Sequence, residues 1–179
     1  MFRTYILAVY ITILTIPTVY ASEFNFELND DAFRAGFTSA IGPAAEVSAN
    51  YMYSRPEGDL AELGIKATHQ QDNHKFAIGT KFNTLWANHH ANAHAVTIGG
   101  NYAILIAPDL TISGSAYYAP SVLASHELSR YYNLDARVAY SLMPHANVYL
   151  GYRSIQFHYR SANDLSFNKG FYIGAVIKF

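Results

Sequence analysis

The sequence predicts an all-β protein, an antiparallel up-and-down transmembrane β-barrel with ten strands as the leading count and eight as the alternative. Three observations carry this. Apolar and polar residues alternate with a period of two along most of the chain, and almost no helical period is present. Short and long connections take turns between the alternating segments, the layout of a barrel with one tight rim and one looped rim. The composition is 51% apolar, 15% aromatic and only 14% charged over 179 residues. That excludes intrinsic disorder, while a mean hydropathy near zero is too polar for a helical membrane bundle. A formal net charge of −1 leaves no basic footprint for nucleic acid. The absence of Cys removes disulfides, thiolate metal sites and Cys nucleophiles.

Residues 1–21 read as a signal peptide, with cleavage expected after Ala21. Arg3 supplies the positive start, Tyr5 to Ile16 an apolar run too short to span a bilayer, and Val19-Tyr20-Ala21 the cleavage site. Residues 22–179 then form one barrel domain. Its strands are expected around Phe24–Leu28, Phe33–Thr38, Glu46–Tyr53, Ala61–Thr68, Phe76–Phe82, Val96–Ile104, Leu110–Tyr118, Tyr131–Leu142, Val148–Arg153 and Phe171–Phe179. The eight-strand alternative arises because the first two segments are short. Tight turns are expected near Ile41-Gly42-Pro43, Gln70–Asn73, Ala107-Pro108-Asp109 and Met143-Pro144-His145, and longer loops at 54–59, 83–93, 119–130 and 159–168. Asn29-Asp30-Asp31 is short on the long side. Pro120 lacks an N–H and suits a strand end.

Alternation alone does not say which face is inside. A soluble barrel places its apolar face inward, and a membrane barrel inverts this. Charges on the polar faces favour the inverted case: Arg34, Glu46, Glu62, Lys66, Lys81, Asp135, Arg137 and Arg153 are expected to form a lumen network, because an unpaired charge there is costly. Glu62 shares a face with Lys66, and Asp135 with Arg137. Gly151 beside Arg153 is read as room for a bulky cation. Aromatics near strand ends form two expected girdles, with Tyr53, Phe82, Trp86, Tyr118, Tyr132 and Phe171 at the long-loop rim and Phe24, Phe76, Tyr140 and Phe179 at the other.

The final segment Tyr172–Phe179 resembles the terminal signal of bacterial outer-membrane barrels, with Gly174, Ile177 and Phe179 at the matching spacing. Residues 110–179 carry a more specific likeness. Tyr117-Tyr118-Ala119-Pro120, the alternating strand ending in Met143-Pro144, Gly151-Tyr152-Arg153 and the Phe-terminated strand are together similar to the YfaZ-type small outer-membrane proteins. That family usually has Ser where Ala119 stands. The resemblance implies an exported outer-membrane barrel and no particular activity.

Three motifs invite chemistry. His89, His90 and His94 beside Trp86 are candidate metal ligands. Their loop holds no carboxylate or thiolate and matches no closed site, so a solvated polar loop without metal is expected. Ser125-His126-Glu127-Leu128-Ser129 suggests a lipid-modifying enzyme, but residues three apart on a strand point to opposite faces. Asp30, Asp31, Asp59 and Asp164 lie at the loop rim with no Asp–His pairing evident. No cofactor motif occurs and none is expected. The expectation is a small, non-catalytic barrel in the outer membrane of a Gram-negative bacterium, with a structural or interaction role or a narrow channel. The alternatives are a lipid-modifying enzyme and a soluble periplasmic ligand-binding barrel. Expected partners are outer-membrane lipid, lipopolysaccharide and, through the last strand, the barrel-assembly machinery.

Overall fold

The computed structural model describes residues 22–179, so the signal-peptide reading of residues 1–21 lies outside the described residues. Ten antiparallel strands close into a barrel. They are β1 (Ser22–Leu28), β2 (Ala32–Gly42), β3 (Ala45–Ser54), β4 (Gly58–Gln71), β5 (His74–Ala87), β6 (Ala93–Ala107), β7 (Leu110–Pro120), β8 (Leu128–Met143), β9 (Ala146–Tyr159) and β10 (Leu165–Lys178). Each strand pairs with its chain neighbours, and β1 closes the wall against β10. The eight-strand alternative therefore falls: the two short opening segments pair with each other from Ser22–Ser39 to Leu28–Phe33. Asn29 makes their turn, its Oδ1 accepting from the N–H groups of Asp31 at 3.2 Å and Ala32 at 2.6 Å.

Four two-residue turns define one rim, at 43–44, 72–73, 108–109 and 144–145. Asp72 there takes φ 52°, the left-handed region that a short Asp side chain tolerates. Longer connections at 29–31, 55–57, 88–92, 121–127 and 160–164 define the other rim. Pro120 ends β7 and opens the single turn of 3₁₀ helix Ser121–Leu123.

Over the mid-barrel the apolar face points out. Leu63, Ile78, Ile98, Leu134, Leu150 and Ile173 are exposed, while Glu62, Asn133 and Arg153 are buried inside. This arrangement excludes the soluble ligand-binding barrel, whose apolar face would be inward.

The expected loops at 54–59, 83–93, 119–130 and 159–168 are too long. β5 runs to Ala87, β7 to Pro120, β8 begins at Leu128 and β10 at Leu165. The physical reason is an inversion of the alternation near the looped rim. On β9, Leu150 and Tyr152 face out beside inward Arg153; farther along, Ser154, Gln156 and His158 face out while Ile155, Phe157 and Tyr159 are buried. Met52, Leu60, Leu85, Leu128, Tyr131, Leu165 and Phe167 join them in an apolar cluster that fills this end of the lumen. The expected lumen held a charge network, and an apolar cluster above it was not among the expectations. A 14-residue strand such as β9 measures roughly 46 Å and, at a tilt of about 40°, rises about 35 Å. The apolar band of a membrane barrel is about 25 Å. The looped end therefore stands about 10 Å above it, where water outside reverses the demand and the apolar residues turn inward.

Candidate functional site

The lumen has three levels. The apolar cluster closes the looped end. A balanced ion network lies beneath it. A polar cavity of about 200 Å³ follows toward the tight rim.

The network is cross-strand and cross-lumen. Arg153 reaches Glu27 at 2.6 Å and Asp135 at 3.0 Å. Arg34 bridges Glu62 at 2.7 Å and Glu27 at 3.5 Å. Lys81 approaches Glu62 at 3.6 Å, and Asn133 donates to the same carboxylate at 3.3 Å. Tyr172 donates to Asp135 at 2.6 Å and Tyr149 to Glu27 at 3.1 Å. Three carboxylates thus face three cations, and each buried charge has a partner, which is what burial requires.

The structure places Arg34, Glu46, Glu62, Lys66, Lys81, Asp135, Arg137 and Arg153 inside the barrel. It does not pair them along single strands. Lys66 binds Glu46 at 2.9 Å rather than Glu62, and Arg137 donates to Ser113 Oγ at 3.2 Å rather than to Asp135. Register brings these partners together: Glu46 stands opposite Lys66, and Arg137 opposite Ser113. Glu27, Lys75, Tyr149 and Tyr172 were missed as site residues. Glu27 is on the alternating polar face of β1, so its parity was the available signal.

Gly151 is also corrected. Its missing side chain makes room for Tyr172, its cross-strand neighbour, and a methyl there would overlap the Tyr172 ring. Arg153 then lies over that ring at 4.3 Å. Gly174 is opposite Tyr149 and Gly99 opposite Tyr117 in the same relation. Each pairing lays a tyrosine over a glycine, covering bare backbone and holding a hydroxyl in the lumen.

The histidines are dispersed. His94 belongs to β6, not a loop; its Nδ1 is 3.2 Å from Thr84 Oγ1 and its ring stacks on Phe82. His90 stacks on Tyr159, and His89 is exposed. Among the described residues no three His, Cys, Asp or Glu side chains are arranged to hold a metal. At the Ser-His-Glu motif, Ser125 Oγ accepts from the His94 N–H at 3.3 Å and Ser129 Oγ donates to the His158 carbonyl at 3.0 Å. Both hydroxyls are engaged away from His126. One Asp–His pair does exist, against the sequence expectation: His158 Nδ1 is 2.6 Å from Asp164 Oδ2. It spans the β9–β10 loop, so loop geometry created what spacing concealed. Tyr51 also donates to Asp59 on the outer wall.

Gly174, Ile177 and Phe179 lie on and just beyond β10, with Ile177 and Phe179 exposed on the outer wall and Gly174 under Tyr149. Phe179 and Ser22 exchange both backbone hydrogen bonds at 2.9 Å.

The family model of the YfaZ precursor matches residues 2–179. The chain belongs to the YfaZ family. Similar solved structures include the KdgM porin, 11% identical over 89% of this chain and 99% of that one, with a TM-score of 0.48. The NanC porin is 10% identical over 88% and 97%, with a TM-score of 0.44. A de novo designed transmembrane β-barrel is 10% identical over 90% and 98%, with a TM-score of 0.40. Comparison with curated proteins finds no match. This YfaZ-family chain folds as a small closed β-barrel of ten antiparallel strands.

Proposed function

We propose that this YfaZ-family barrel acts as a closed, non-catalytic structural or interaction protein of the Gram-negative outer membrane. The observation that supports this most is the apolar cluster of Leu60, Leu85, Tyr131, Ile155, Phe157 and Phe167, each at most 1% exposed, across the looped end of the lumen. Ions avoid a dry apolar constriction, and the paired network beneath it adds a second barrier. The narrow channel is thereby the less favoured reading. The Ser125 and Ser129 engagements argue in the same way against the lipid-modifying alternative. In this reading the protein enters the periplasm after cleavage at Ala21. It is inserted by the barrel-assembly machinery through the strand bearing Gly174, Ile177 and Phe179. It meets lipopolysaccharide on its outer wall.

Planar-bilayer recording of the refolded barrel tests the closed lumen. Silence from protein shown to be inserted is the expected result. Discrete conductance steps from the unaltered protein would overturn it. Mass spectra of lipid A with and without the protein test the non-catalytic part, and no mass change is expected.

A further inference from the structure

The charges around the lower cavity do not cancel. Glu46 neutralises one cation but serves two, Lys66 at 2.9 Å on Oε2 and Lys75 at 2.7 Å on Oε1. Arg137 has no carboxylate within 4 Å, and among the described lumen-facing basic residues it alone lacks an ion pair at that distance. Its Nε is used by Ser113 at 3.2 Å, and its guanidinium lies over the Tyr149 ring at 4.9 Å. Its two terminal nitrogens, Nη1 and Nη2, make no hydrogen bond to protein among the described residues. The deeper set of Glu27, Glu62 and Asp135 against Arg34, Lys81 and Arg153 is balanced. Glu23 and Lys178 match each other at the mouth, 3.9 Å apart. Two positive charges therefore remain in excess, and Lys66, Lys75 and Arg137 all line the same 200 Å³ space.

Such an excess in a narrow, low-dielectric barrel draws in a compensating anion. The planar fork of Arg137 suits an oxyanion, which it can bind with two parallel hydrogen bonds. Ser115 and Asn101 add hydroxyl and amide groups to the wall. The volume corresponds to about seven waters at roughly 30 Å³ each, enough for a phosphate or a small dicarboxylate. Lys75 and Glu23, with side chains 47% and 42% exposed, mark a mouth at the tight-turn rim.

We propose that the lower lumen is a binding site for a small doubly charged oxyanion, held by Arg137 with Lys66 and Lys75 and reached through the tight-turn rim. The site lies below the apolar cluster and stands whether or not that cluster is sealed.

The test is calorimetric titration of the refolded 22–179 barrel in detergent at fixed ionic strength, with inorganic phosphate and, separately, succinate. Saturable one-to-one binding of either supports the site, and the better ligand assigns it to phosphates or to carboxylates. Arg137→Gln is expected to weaken binding at least about tenfold, the loss of a charge-assisted pair. Arg130→Gln, on the outer wall, leaves it unchanged. Absence of saturable heat for both probes up to about 10 mM, or equal binding by Arg137→Gln, would overturn the proposal. Should Arg137→Gln fail to give a heat-modifiable folded band, Lys75→Gln serves instead. Its side chain is half exposed, so folding survives, and binding as tight as in the parent would equally reject the site.

Discussion

Replacing Glu62 by Gln removes the charge that faces both Arg34 and Lys81 while keeping nearly the same shape. Lys81 then has no carboxylate within reach, and Arg34 keeps only the longer contact to Glu27. Breaking a buried pair of this kind costs about 3–5 kcal/mol, and urea unfolding in lipid vesicles should read a loss of that order. An unchanged unfolding midpoint would mean that water already screens the network. Gly151→Ala is expected to cost about 1–3 kcal/mol by overpacking against Tyr172. The cost should shrink in the Tyr172→Ala background, because the two residues share one space. At this scale the sequence revealed parity: which charges face inward follows from period two. It did not reveal partners, because Glu46–Lys66 and Arg153–Glu27 depend on strand register and on which strands meet across the lumen. Gly151 shows the same limit, since the ring it accommodates belongs to another strand.

β9 carries two environments in one strand, and substitutions along its outer face should separate them. Leu150→Lys places a cation on the apolar belt and is expected to destabilise by about 2–4 kcal/mol, the cost near a bilayer midplane. Gln156→Lys, six residues along the same face, should change stability by less than about 1 kcal/mol, because that level stands in water. Refolding into vesicles with urea titration checks both, and equal costs would refute the inversion. Inside the same strand, Phe157→Ala should cost about 3–5 kcal/mol as a core truncation. The ten strands and the four tight turns were legible because Pro, Asn and Asp interrupt a steady alternation. The strand ends were not. Ser154–Tyr159 still alternates, but in opposite phase, and the assumption of one phase per strand ended the expected strand at Arg153.

At the scale of the whole molecule, closure of the lumen depends on a few apolar side chains. Leu85, Ile155 and Phe157 changed together to Ser should therefore convert a silent barrel into one with measurable conductance. Continued silence would locate the barrier in the ion network instead. Membrane character was legible from the charged polar faces and the last strand, and the family from the resemblance carried by the motifs of residues 110–179. The three-level lumen was not, because it arises only when ten strands are stacked at their true heights. The wall is also uneven. β1 has seven residues against fourteen in β9 and β10, so its pairing with β10 stops at Leu28–Ile173 and leaves Leu165–Tyr172 bonded on the β9 side alone. Among the described residues, the first and last strands thus meet along a seam about half as long as that between β8 and β9. Opening a barrel requires breaking only one seam, and the cheapest seam opens first. Amide protons of Glu23–Leu28 should consequently exchange with solvent sooner than those of the β8–β9 pair, and during folding this clasp should be the last to fasten.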